Sequence, residues 1–404
     1  MSKTISVVAT LDTKGVEAQF VKERIESAGL SALVIDAGVI GEPLFVADVP
    51  REKVAEAAGE NLTELLSERD RGRSVAVMAE GAAKVVRGLF DAGTIHGIIS
   101  LGGSAGTTIG TSAMRALPVG FPKVMVSTLA SGDTRPYVGI KDITMMYSVV
   151  DIAGLNRVSR RILANAAAAV CAMAEAELPS AAEEKRLIAA TMFGVTTPCV
   201  NKAREILEEK GYEVLVFHAT GSGGRAMEDL IESGFISGVL DITTTEWADE
   251  LVGGVLSAGP QRLGAAGKKG IPQVVAPGAL DMVNFGPPDT VPEKFKDRTF
   301  YQHNPTVTLM RTTKGETAEL GRIIAEKLSA ATGPTSFFYP RKGVSAIDRE
   351  GQPFHDPEAD EAFISSLKAA VGPNVQVVEL DNHINDEAFA VAVARSLMEK
   401  LEAV

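Results

Sequence analysis

The chain has 404 residues, 45% of them apolar and only 5% aromatic, with a formal charge of −12 and no Lys/Arg-rich run. That length suits two domains of roughly 100–200 residues each, and the acidic balance argues against duplex nucleic acid or an anionic membrane as the main partner. No apolar run approaches the roughly 20 residues of a membrane span, and the chain opens on a strand pattern without signal-peptide features, so a reducing cytoplasm is the expected compartment. The two cysteines, Cys171 and Cys199, sit in Ala/Val/Pro contexts and are expected to be buried thiols; no Cys/His spacing suggests a metal site.

In chain order, residues 5–10 form a strand pattern, 11–15 a loop, and 16–27 a helix with Val16, Phe20, Val21 and Ile25 apolar, stopped at Gly29. Residues 32–35 make the next strand, turned by Asp36-Ala37-Gly38. Short apolar runs at 74–78, 97–101 and 123–126 read as further strands, each followed by a Gly/Ser/Thr loop, which is the pattern of a parallel, doubly wound sheet. A polar, proline-containing stretch at 175–185 reads as a linker near Pro179. The cycle then restarts with a strand at 187–191, a helix at 199–210 ended by Gly211, and a strand at 214–217. Beyond Ala330 an extension adds strands at 336–339 and 375–380 and helices at 358–370 and 386–401, the last with Asn385 as its expected N-cap.

Five short matches keep their order between the halves. Ala9-Thr10 pairs with Ala190-Thr191, Val34-Ile35-Asp36-Ala37 with Val216-Phe217-His218-Ala219, and His96-Gly97-Ile98-Ile99 with Ser237-Gly238-Val239-Leu240. Phe121-Pro122-Lys123-Val124 pairs with Ile271-Pro272-Gln273-Val274, and Arg161-Ile162-Leu163-Ala164 with Arg322-Ile323-Ile324-Ala325. The expectation is an α/β fold of two doubly wound, Rossmann-like domains, 1–178 and 186–404, related by internal duplication, with a C-terminal α/β extension in the second and a cleft between their strand ends.

In open α/β sheets ligands bind beyond the carboxyl ends of the strands. The strongest candidate there is the run Gly102-Gly103-Ser104-Ala105-Gly106-Thr107-Thr108, where glycines admit a ligand to the backbone, N–H groups at a helix start hold phosphate, and Ser104, Thr107 and Thr108 add hydroxyls. Asp12, Thr13 and Lys14 end the first strand, with Lys14 suited to a phosphate and Asp12 to Mg²⁺ through water. Asp36 stands where a dinucleotide fold places an acid on ribose hydroxyls, and Ser127 and Thr128 follow a third strand. No G-x-x-x-x-G-K-[ST] motif occurs; Gly221-Ser222-Gly223-Gly224-Arg225-Ala226 fits G-x-G-x-x-A, but follows the second strand of its half and is a weak fingerprint.

The second half offers a different chemistry. Asp241, Glu246, His303 and Arg311 are the candidate acid–base residues, with His218, Arg225 and Asp281 on the same expected rim, suited to a small anionic metabolite. Interface salt bridges are the plainer reading of the same charges.

The stretches VATLDTKG, SLGGSAGTT, DIAGLNRVSRRIL, FHATGSGGRAMEDLI and GALDMVNFG resemble one family across essentially the whole chain. It comprises bacterial proteins of unassigned function and the ATP-binding N-terminal region of the tomato protein that confers resistance to tomato mosaic virus. The resemblance implies a two-domain Rossmann-like fold, ATP binding and homodimers; Mg²⁺ is expected to accompany the nucleotide. Two functions follow as expectations: an enzyme acting on a small anionic metabolite with ATP, or a nucleotide-regulated binding module without turnover.

Overall fold

A computed structural model describes residues 2–177 and 185–403 of the chain. The chain divides into two compact units, 1–181 and 182–404. The expected linker core, with Pro179, lies outside the described residues.

The first unit runs β1 (Thr4–Ala9), α1 (Leu11–Ser27), β2 (Ser31–Asp36), α2 (Arg51–Ala57), α3 (Leu62–Ser67), α4 (Arg71–Asp91), β3 (Gly97–Gly102), α5 (Ser104–Arg115), β4 (Lys123–Ser127), α6 (Arg135–Val138), β5 (Thr144–Tyr147) and α7 (Arg157–Glu175). Its five strands are all parallel, in the order β2-β1-β3-β4-β5. Alternate residues feed two separate cores, because successive strand side chains point to opposite faces. Ile5, Val7 and Ala9 pack with α1 and α7, whereas Val8, Ile35, Ile98 and Met125 pack with α2, α4 and α5. Helices therefore cover both faces, and the strands read as near-continuous apolar runs.

Two local expectations are corrected here. Residues 74–78 lie in α4, not in a strand: Asp70 caps the helix by accepting from the Arg73 N–H, and Ser74, Met78, Ala82 and Val86 recur at a helical spacing on its buried face. A five-residue apolar run carries too few periods to separate the two states. Residues 11–15 are not a loop but the first turn of α1, which breaks from helical geometry at Lys14 (φ −128°, ψ 20°).

The second unit runs β6 (Leu187–Met192), α8 (Thr197–Glu209), β7 (Glu213–His218), α9 (Ser222–Glu232), β8 (Gly238–Thr243), α10 (Glu246–Val252), α11 (Ala265–Lys269), β9 (Gln273–Gly278), β10 (Met282–Phe285), β11 (Phe300–Asn304), β12 (Val307–Arg311), α12 (Lys314–Ser329), β13 (Thr335–Pro340), α13 (Pro357–Ala370), β14 (Val375–Leu380) and α14 (Glu387–Glu402). Six parallel strands take the order β7-β6-β8-β9-β13-β14, and β10, β12 and β11 form a small antiparallel sheet. One face of the large sheet packs on α8 and α14, the other on α9, α11, α12 and α13.

The Arg161/Arg322 match does not join equivalent helices. α7 packs on the face that carries α1, while α12 lies on the face opposite α8, and α14 is the helix beside α8. Two amphipathic helices share an Arg-Ile-x-Ala run because both need the same apolar stripe. Asn385 is not the cap of α14: Asp386 holds that position, and Asn385 instead donates to the Val195 carbonyl and accepts from the Cys199 N–H. Both cysteines are free and buried, and burial pushes the Cys199 thiol up to about 12. Among the described residues no helix is long and apolar enough to cross a membrane.

Candidate functional site

In the first sheet the chain leaves β1 toward one face, through α1, and leaves β3 toward the other, through α5. Adjacent strands whose connections diverge open a crevice at their carboxyl ends. A cavity of about 260 Å³ lies there, lined by Thr10 after β1, Ala37 after β2, and Gly102 and Gly103 at the end of β3.

Its polar side is built from the two helix starts. Gly103 is the N-cap of α5, with no side-chain cap; the Thr107 N–H bonds the Gly103 carbonyl at 2.8 Å, and the N–H groups of Ser104, Ala105 and Gly106 precede that first helical bond. Such N–H groups have no partner within a helix and carry its positive dipole end. Glycine is required by the close approach of strand and helix, since a Cβ on Gly102 would stand 2.9 Å from the Gly106 Cα. Thr13, Lys14 and Arg71 face the same cavity. The Lys14 ammonium donates to the Ile152 carbonyl, and the exposed Arg71 has no hydrogen-bond or ion-pair partner among the described residues. Val39, Ile40, Val75 and Ile109 line the apolar side, and Asp151 brings a carboxylate to the rim.

Asp12, Thr13, Lys14, Gly102, Gly103, Ser104 and Gly106 thus meet in one cavity, as their strand-end positions require. Other candidates turn inward. Thr107 is fully buried, with its hydroxyl 2.7 Å from that of Ser127, which also accepts from the Leu129 N–H. Thr108 donates to the Ser104 carbonyl, and Thr128 gives its N–H to the Gly102 carbonyl; neither lines the cavity. Asp36 is 2% exposed and accepts from the Leu11 and Gly38 N–H groups. Burial pushes its carboxyl above the usual range in spite of those two donors. Asp12 accepts from Ile40 and Gly41 through Oδ2, which clamps the loop after β2, while its Oδ1 has no partner among the described residues. Arg71, Asp151, Ile40 and Val75 were missed in the sequence; Arg71 and Val75 belong to the helix misread as a strand.

The second unit's candidates do not converge. Arg262, 1% exposed, donates to both oxygens of Asp241 (2.5 and 2.7 Å) and to Glu246 (2.7 Å). Glu246 in turn accepts from the Gly221 and Gly224 N–H groups at 2.7 and 3.0 Å. The glycines of the weak fingerprint therefore cradle an internal carboxylate: a Cβ on Gly224 would fall 2.1 Å from Glu246 Oε2. Arg311 is buried in another place, bonded to Asp360 at 2.8 Å and to the Phe354 carbonyl at 2.7 Å. Asp281 accepts from Ser345 there, and burial raises the carboxyls of Asp281 and Asp348. His303 is exposed on β11 and His218 exposed at the end of β7, its ring 5.6 Å from that of Phe193. Arg225 bonds the Gly221 carbonyl within its own helix. The acid–base set expected on one rim is two buried charge clusters and separate surface histidines.

Fold and cavity together define an α/β protein whose first parallel sheet carries a ligand-sized crevice at its strand ends. The chain belongs to the Uncharacterised protein family (UPF0261), whose N-terminal domain matches residues 3–179 and whose C-terminal domain matches 185–401. It is similar to a UPF0261 protein of Clostridium tetani (59% identity over 403 residues, all of both chains) and to one of Rhizobium meliloti (49% over 392 residues, 96% of this chain and 97% of that protein). It is also similar to the ToMV resistance protein Tm-1(GCR237) of Solanum lycopersicum, 48% identical over 336 residues, which is 81% of this chain and 45% of the tomato protein. Among solved structures, the UDP-N-acetylglucosamine 2-epimerase of Rickettsia bellii aligns over 68% of this chain and 79% of its own at 9% identity, with a TM-score of 0.24, too low to carry an argument.

Proposed function

We propose that the first unit binds a nucleotide, ATP with Mg²⁺, by its phosphates at the start of α5. The observation that carries this is the single cavity in which the uncapped N–H groups of α5, Thr13, Lys14 and Arg71 meet beside an aliphatic wall. Phosphate suits such a helix start because N–H donors and the dipole act together. Mg²⁺ usually takes one or two carboxylates plus phosphate oxygens; Asp151 and Asp12, whose Oδ1 has no partner among the described residues, are the carboxylates lining the cavity that would hold it. When bound, the ion would neutralise phosphate charge.

The reading is of a binding module. Asp241, Glu246 and Arg311 are committed to buried charge pairs, and His303 stands apart from them, so turnover would have to rest on other groups.

Internal duplication is part of the same proposal. The order β2-β1-β3-β4 is repeated as β7-β6-β8-β9, and three of the five sequence matches fall in register on corresponding strands; Ala9-Thr10 and Ala190-Thr191 are two residues out of register, since Val7, not Ala9, pairs as Ala190 does. Backbone bonds repeat with them: His96 N–H to the Thr4 carbonyl and Ser237 N–H to Leu187, Ile98 N–H to Pro122 and Val239 N–H to Pro272.

Calorimetric titration with ATP and Mg²⁺ tests the reading. Saturable binding is expected, and at about 100 times Kd it should add roughly 2.7 kcal/mol of apparent stability. No heat and no shift in melting would refute it.

A further inference from the structure

We infer that this cavity holds its nucleotide by phosphate and apolar contact, without reading the base edge or the ribose hydroxyls; the inference rests on the nucleotide reading above. The base has one apolar place to go. Beside the phosphate-binding helix start, the apolar lining is Ala37, Val39, Ile40, Val75 and Ile109, and none of these side chains carries a hydrogen-bonding group.

Most backbone N–H groups on that side are also committed. The Ala37 N–H bonds the Ala9 carbonyl at 2.9 Å, and the Gly38 N–H bonds Asp36 Oδ1 at 2.9 Å. Ile40 and Gly41 give theirs to Asp12 Oδ2 at 2.6 and 3.2 Å. Of the five N–H groups from Ala37 to Gly41, only that of Val39 has no partner among the described residues. One donor on a loop cannot set the donor–acceptor pattern by which a purine edge is distinguished, and discrimination of close analogues is large only where a site's own polar groups would be left unpaired.

The ribose lacks its usual reader too. In dinucleotide folds an acid ending the second strand takes ribose hydroxyls, but Asp36 is 2% exposed and its Oδ1 already holds two N–H groups. Asp12 and Asp36 fasten the loop after β2 to the start of α1 and leave it with an aliphatic surface. Ile40, 73% exposed, is the side chain a base would cover.

The test is calorimetric competition on the full chain with ATP, GTP, CTP, 2′-deoxy-ATP and adenosine, all with Mg²⁺. The four triphosphates are expected to bind within about threefold of one another, and adenosine at least a hundredfold more weakly. Ile40→Ala, a change at the exposed side chain, is expected to weaken all four by the same several-fold factor. A tenfold preference for one base, or a tenfold loss on removing the 2′-hydroxyl, overturns this inference and leaves nucleotide binding standing. Adenosine binding as tightly as ATP overturns the phosphate reading beneath it, as does failure of all four to bind.

Discussion

The two units carry the same junction, a parallel strand ending in a small-residue loop that opens a helix, and fill it differently. From the end of β3 the chain reads Gly102-Gly103-Ser104, and α5 begins beside a cavity. After β8 it reads Thr244-Thr245-Glu246, every residue buried, with Thr196 and Thr243 hydroxyls 2.8 Å apart and Arg262 closing over Asp241 and Glu246. Glu246, the first residue of α10, also accepts from Gly221 and Gly224 at the start of α9, a helix that follows β7 and so is not the counterpart of α5. At the start of α5, among the described residues, no carboxylate bonds the first N–H groups, and the proposed nucleotide would supply the anion. A helix start favours negative charge in both; what differs is whether the sequence supplies it.

Breaking the internal pair should have the largest effect. Arg262→Ala leaves Asp241 and Glu246 buried and uncompensated, and the second unit's unfolding transition should lose on the order of 3–5 kcal/mol in a denaturant titration. A loss below about 1 kcal/mol would mean that the cluster is not the second unit's counterpart of a ligand.

Gly103→Val acts on the other junction. A Cβ there has ordinary room, with Thr128 Oγ1 at 3.7 Å, so the fold should persist while branched methyls crowd the N–H groups of α5. ATP affinity is expected to fall at least tenfold, about 1.4 kcal/mol, with the melting temperature of the free protein little changed. Thr107→Val sharpens the contrast: removing the buried bond to Ser127 should cost about 1–2 kcal/mol of stability and leave intrinsic ATP affinity within about twofold.

These variants also mark what was legible in the sequence. The strand-end rule brought out Gly102, Gly103, Ser104 and Lys14 because a parallel sheet puts all its loops on one edge. It could not tell Ser104 from Thr107, three residues along the same helix, since which hydroxyl faces the crevice depends on where α5 crosses β4. Arg71 and Val75 were hidden because the run at 74–78 has no decisive period, and Asp241 and Glu246 because charge in a sequence does not reveal that Arg262 lies 16 residues beyond Glu246 and folds onto both.

The smallest expected effect concerns pH. His383 Nδ1 accepts from the Asn385 N–H, so Nε2 donates to the Ser345 carbonyl, and burial holds the ring below the ordinary histidine range. The unfolded chain then binds the proton more tightly than the folded one. The contribution is fully present above about pH 6.5 and is lost as pH falls through the depressed folded value. Denaturant melts at pH 7.5 and 5.5 should show a shallower pH slope for His383→Gln than for the unaltered chain; equal slopes would contradict the neutral assignment.

The central claim, that the first junction waits for an external anion while the second already holds its own, is tested most directly by hydrogen exchange with and without ATP and Mg²⁺. The account predicts slowed exchange in peptides covering residues 10–15 and 102–109, and none in those covering 219–228. Protection of 219–228 with no change at 102–109 would contradict it.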